Sequence, residues 1–222
     1  MSYQTIVNNA TTIQINNKPI SSATLSRSNR LKTALRGEAI YRFNVAVGRA
    51  FEWNATNRAM LQILQQKGRT VEEEITLSQT SGMSYIMGYA GTLDSTQLGD
   101  IDIASYTGAT LTLDTSNVTG IDPADTLFDV GDYIQPANSR YTYEVTTPVF
   151  ATDITLNEVD VPVHRNIYPA SSDSGNNIVG AGINVANNCT FHVKCLSAPT
   201  HTLQPGKLFT FDGNFEFVEV IL

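Results

Sequence analysis

Histidines, cysteines and clustered acids carry most protein chemistry, and this chain of 222 residues has few of the first two: three His and two Cys. His192 lies three residues from both Cys189 and Cys195. On a strand, an odd offset puts His192 on the face opposite both thiols, which argues against a zinc site. The cysteines themselves are six residues apart, roughly 20 Å in an extended strand and too far for a disulfide. They read as two reduced core thiols, which fits a reducing compartment. Asp122, Asp125, Asp129 and Asp132 gather hard oxygens that could hold Ca²⁺, but their spacing misses the calcium-loop pattern. A solvated acidic turn is the other reading. Gly82-Met-Ser84 is not a nucleophile elbow, and Gly180-Ala-Gly182 lacks the strand–loop–helix context of a phosphate loop. The expectation is a non-enzyme with no cofactor and no metal.

Charge is the stronger signal. The net charge is −7, yet Lys18 to Arg69 holds ten basic residues against only Glu38 and Glu52, a local +8. The rest has four basic and nineteen acidic residues, a local −15. A basic patch can mark a nucleic-acid site, but this one lacks interleaved aromatic platforms. Opposite-sign surfaces meeting between copies of the same chain fit better, with a solvated basic face as the plain alternative. Arg27, Arg30, Lys32, Arg36 and Arg42 are the expected subunit-interface residues.

Charged residues make up only 16% of the chain, while Thr, Asn, Ser and Gly are plentiful, which favours strands and loops. Residues 3–7 and 12–15 read as short strands, and 24–35 as a strand or arm. Glu38–Phe51 alternates, with Tyr41, Phe43, Val45 and Val47 on one face and Ile40, Arg42 and Asn44 on the other. Residues 55–67 form the best helix, with Ala59, Met60, Ile63 and Leu64 as its apolar stripe and Gly68 at its C-cap position. Glu72–Leu77 is a further strand. Short strands near 110–113, 133–135, 140–145 and 154–156 alternate with turns and suggest a small β-barrel or sandwich. The N-terminal MSYQTIVNNA has no basic patch followed by an apolar core, and no apolar run approaches membrane-spanning length.

The C-terminal stretch holds two alternating runs around Asp212-Gly213-Asn214, which reads as a hairpin. The register that keeps the aromatic faces together sets Phe211 opposite Phe215, Phe209 opposite Phe217 and Lys207 opposite Glu219. A lone hairpin is marginal in water, so its partner strands are expected in the N-terminal half. The fold class that follows is mainly β: a discontinuous β-sandwich or split barrel with one flanking α-helix, plus an inserted small β-barrel domain. Residues 1–98 and 180–222 form the discontinuous, tube-like domain, and 99–179 the insert.

Three groups of segments resemble tail-tip proteins of tailed bacteriophages, the distal tail and baseplate-hub-proximal class. The first is Ser26–Lys32 (SRSNRLK) with the strand around Tyr41–Phe43. The second is Val130–Gln135 (VGDYIQ), Tyr141–Thr146 (YTYEVT) and Pro162–Arg165 (PVHR). The third is Ser197–Gly206 (SAPTHTLQPG) leading to Phe211–Glu219 (FDGNFEFVE). The resemblance implies a β-rich, ring-forming virion protein, often hexameric, at the distal end of a tail and assembled in the host cytoplasm. It implies partners in further copies of itself, the tail tube protein, the baseplate hub, and wedge or receptor-binding proteins. DNA would pass through such a ring without specific binding, and no membrane is involved. The chain is too short to carry the large carbohydrate-binding domain of the bigger family members. The alternative function is a carbohydrate-binding β-sandwich module for host recognition, in which Trp53 and exposed Tyr residues stack on sugar; core packing is the plainer fate of Trp53.

Overall fold

The computed structural model describes residues 2–25, 31–67, 69–77, 83–168 and 177–221. In chain order the elements are α1 (Ser2–Asn8), β1 (Ala10–Asn16), β2 (Pro19–Leu25), β3 (Leu31–Ala39), β4 (Arg42–Val47), β5 (Phe51–Glu52), α2 (Ala55–Lys67) and β6 (Glu72–Ile75). They continue as α3 (Ser95–Gly99), β7 (Asp102–Thr107), β8 (Thr110–Asp114), β9 (Thr126–Phe128), β10 (Tyr133–Pro136), β11 (Tyr143–Glu144), β12 (Val149–Phe150), β13 (Glu158–Pro162) and β14 (Ile183–Val185). The last four are β15 (Phe191–Ser197), β16 (Thr200–Gln204), β17 (Leu208–Asp212) and β18 (Asn214–Glu219). The protein is mainly β and sandwich-like, and its described residues divide into two compact units: 1–74 with 193–221, and 75–192.

The first unit is built on a five-stranded sheet in the order β1-β4-β18-β15-β6. Strands from opposite ends of the sequence therefore lie side by side, as the marginal stability of an isolated C-terminal hairpin requires. β4 follows its alternation: Tyr41, Phe43, Val45 and Val47 are buried, while Arg42 and Asn44 face water. β18 pairs antiparallel with β4, setting Phe217 beside Phe43 and Phe215 beside Val45. Tyr3 packs on Phe217, with ring centroids 5.1 Å apart.

Residues 3–7 are a helix, not the expected strand. The buried residues are Tyr3, Ile6 and Val7, a helical i, i+3, i+4 set. Asn9 closes this helix, its backbone N–H donating to Ile6 O and its side-chain amide to Thr5 O. α2 spans the expected residues 55–67. Its buried stripe is Met60, Leu61 and Leu64, so the stripe is rotated and Ala59 is exposed. The expected Gly68 cap lies outside the described residues. Three α-helices are present among the described residues where one was expected.

The expected hairpin between β17 and β18 is not formed. β17 pairs with β16 and β5 in a separate three-stranded sheet, whereas β18 pairs with β4 and β15. Each strand already has two ladders, so neither edge is open to the other. Only Gly213 separates them, at φ +119, and it turns the chain from one sheet into the next. The aromatic contact survives without the pairing: Phe211 and Phe215 meet edge to face at 4.7 Å. Phe209 lies opposite Leu203 and Phe51, Phe217 opposite Cys195 and Phe43, and Glu219 opposite Val193 in place of Lys207.

Among its described residues the second unit has three antiparallel sheets, ordered β11-β10-β14, β12-β9 and β13-β8-β7. No barrel closes among the described residues. The strands are two to six residues long, too short and too often interrupted to stagger round a cylinder. Residues 154–156 are not a strand: Leu156 and Asn157 form a turn with φ +55 and +66, and the strand follows as β13. The core of this unit collects Leu111, Leu113, Leu127, Phe128, Tyr143 and Val161, each fully buried.

Candidate functional site

Of the expected interface residues, two lie on one described arm, the β2–β3 ribbon. Lys32 and Arg36 are on β3, which pairs with β2 from Pro19↔Ala39 to Leu25↔Leu31. Arg27 and Arg30 fall between these strands, outside the described residues. β2 and β3 pair with each other and with no other strand among the described residues, so the ribbon's outer edges carry no ladder there. Unsatisfied strand edges are a template for another chain. Arg42 sits apart on β4, with a guanidinium nitrogen 3.9 Å from Glu216 Oε1, both side chains a little under half exposed. A surface pair of this kind contributes about 0–1 kcal/mol, so Arg42 remains electrostatically available.

The unit boundary sharpens the charge pattern. The first unit has twelve basic and eight acidic residues, net +4; the second has two basic and thirteen acidic residues, net −11. One of those two cations is Arg165, which is buried. Its guanidinium carbon lies 5.3 Å from the ring of Tyr143, 5.5 Å from Tyr168 and 6.0 Å from Tyr141, and Arg165 donates to Thr142 O at 2.9 Å. Aromatic faces stabilise the cation in place of water.

The four clustered aspartates do structural work. Asp122 N–H donates to Asp125 Oδ2 at 2.7 Å, and Asp129 N–H to Asp132 Oδ2 at 2.8 Å. The other oxygen of each acceptor clamps the segment before α3: Asp125 Oδ1 accepts from Thr92 Oγ1, and Asp132 Oδ1 from Ala90 N, both at 2.8 Å. Tyr89 adds a short hydroxyl bond to Leu127 O. Burial pushes the Asp132 carboxyl up, partly offset by the amides of Asp129 and Ala90. Two repeated turns thus use their carboxylates as backbone acceptors, and no set of His, Cys, Asp or Glu able to hold a metal occurs among the described residues.

The remaining chemistry-bearing residues are also committed. Both thiols are free and buried, as the spacing required. Burial pushes both up, Cys195 to about 12, so neither is a nucleophile at neutral pH. His192 Nδ1 lies 3.2 Å from an Arg140 nitrogen, not at a metal-ligand grouping. His164 Nδ1 accepts from Glu144 N at 3.0 Å.

Trp53 does not have the core fate expected of it. It is 38% exposed, at the head of α2. The Arg58 guanidinium carbon lies 5.7 Å from its ring, and His201 stacks beside it with centroids 6.4 Å apart. These three residues border an open groove of about 500 Å³ along the exposed side of α2.

No protein-family model matches the chain, and no curated protein gives a significant match. The polar groove and the basic arm were partly legible in the sequence: the arm through its charge, the groove only through its single Trp. The groove's other members, Gln62, Gln65 and His201, carry no motif and are joined by tertiary folding alone.

Proposed function

We propose that this chain is a non-enzymatic structural component of a bacteriophage tail tip or baseplate. Copies assemble into a hexameric ring that joins the tail tube to the hub and to wedge or receptor-binding proteins at the distal end of the virion. The observation that carries this reading is the charge division between the units, +4 against −11. A heterologous ring contact places one patch of a subunit on a different patch of the next, so opposite signs on the two units favour closure over like-to-like pairing. The β2–β3 ribbon supports the same reading, because it carries Lys32 and Arg36 and has no further ladder among the described residues. An acidic lumen suits DNA transit, since like charge prevents adhesion to phosphate.

Negative-stain imaging and light scattering of the purified protein test this directly. A closed ring is expected at moderate salt, with partial dissociation as salt screens the contacts beyond about 8–10 Å. Reversing charge at Arg36 and Arg42 (Arg36→Glu with Arg42→Glu) should leave the fold intact and weaken the ring. A monomer at high concentration, alone and with purified tube protein, overturns the reading. A ring whose lumen is lined by residues 18–69 overturns the DNA-transit part.

A further inference from the structure

We infer that the groove along α2 binds an anionic saccharide, a pyranose bearing a carboxylate. α2 contributes Ala55, Arg58, Gln62 and Gln65 at spacings of three and four, which places them on one exposed face. Trp53 and His201 complete its lining. The small side chains of Ala55 and Ala59 leave the floor open.

The polar groups point to one ligand chemistry. Among the described residues no carboxylate lines the groove, and Arg58 is its only formally charged side chain. The Gln65 amide nitrogen lies 3.1 Å from His201 Nδ1. Donation there makes Nδ1 the acceptor and leaves the ring proton on Nε2, a donor. Arg58, His201 Nε2–H and the amide N–H groups make a donor-rich wall, which selects a ligand rich in acceptors. A carboxylate takes charge-assisted hydrogen bonds from Arg58. The exposed part of the indole offers an apolar surface for the C–H face of a sugar ring. A neutral sugar offers Arg58 hydroxyl acceptors but no opposite charge, and a flat apolar ligand would leave the amides unmatched.

Trp53 is the sole tryptophan, so intrinsic emission reads this groove alone. The experiment titrates the full chain with short oligogalacturonate, and in parallel with a neutral galactose oligomer of equal length. A saturable emission change is expected with the uronate and not with the neutral sugar. Arg58→Gln should weaken the uronate response by about tenfold or more, the loss of one charge-assisted contact. Ala59→Glu, at an exposed helix position, should abolish it by filling the floor with negative charge. Circular dichroism confirms that both variants fold. No saturable change, equal binding of the neutral oligomer, or an unchanged Arg58→Gln response would each overturn the inference. Light scattering on the same samples reads the oligomeric state separately, so loss of sugar binding and loss of the ring are distinguishable.

Discussion

Tyr41 and Glu219 clasp each other through two hydrogen bonds across 178 residues of sequence: Tyr41 N–H donates to Glu219 Oε2 at 3.1 Å, and Glu219 N–H donates to Tyr41 O at 2.9 Å. Both residues are buried. The clasp sits where β4 begins and β18 ends, so it fixes the register in which Phe43 meets Phe217. Removing the carboxylate leaves a buried amide donor exposed to no water, a loss of about 1–3 kcal/mol. Glu219→Ala should therefore lower the urea midpoint reported by Trp53 emission, which follows the first unit. Glu219→Gln retains an accepting oxygen and should lose clearly less. Equal losses in the two variants would mean that packing, not the hydrogen bond, matters at this position.

The corner at Gly213 makes a second prediction. Its φ of +119 lies outside the region that L residues adopt readily, and a Cβ there would stand 3.3 Å from Pro199 Cβ. Gly213→Ala should destabilise by about 1–3 kcal/mol, the range for a strained backbone position. Gly206 gives the contrast. It has φ +82, a Cβ would meet nothing within 4 Å, and its alanine variant should cost about 1–2 kcal/mol for the left-handed conformation alone. Chemical denaturation of the two variants side by side checks the order.

His164 should make the protein acid-sensitive. Burial and, secondarily, the neighbouring Arg165 charge pull its pKa from 6.5 down to about 3. The folded state therefore holds the imidazole neutral while the unfolded chain takes up a proton below 6.5. Stability from this group is complete above pH 6.5 and falls as the pH drops towards 3. Asp132 acts in the opposite sense: its raised carboxyl pKa favours the folded state at low pH and loses that contribution as the pH rises through it. His164→Asn keeps an acceptor for Glu144 N–H but does not titrate in this range. Calorimetric melting at pH 7, 5 and 4 should show a shallower decline for the variant than for the natural protein. Parallel declines would rule out His164 as the source.

The sequence announced its fold where local and tertiary signals agree. The alternation of Tyr41, Phe43, Val45 and Val47 gave β4 its buried face, and the periodicity of 55–67 gave α2. Where two periodicities overlap, as in residues 3–7, alternation at Tyr3, Thr5 and Val7 competes with helical spacing at Tyr3, Ile6 and Val7; packing against Phe217 settles it. The Asp212–Asn214 turn has the composition of a hairpin but the geometry of a corner, because a hairpin is decided by which neighbours each strand already has. Pro205-Gly206 is the turn that actually closes a hairpin, between β16 and β17. Beyond Trp53 itself, the groove left no local signal for a related reason: α2 and β16 are more than a hundred residues apart, and no local pattern joins Gln65 to His201.

β18 occupies the middle of the five-stranded sheet, yet it comes last of those five strands in sequence order. On the ribosome, β1 and β4 emerge with the strand that belongs next to β4 still unsynthesised. Residues 75–192 are released before that strand and can complete their own local sheets first. The sheet of the first unit closes only after residues 75–192 have been made, through contacts of very high sequence separation, which fold slowly. Until then the edge of β4 is open to strands from other nascent copies. The order of synthesis thus makes that edge the point most exposed to mispairing, and holds back a complete first-unit surface until β18 has been made.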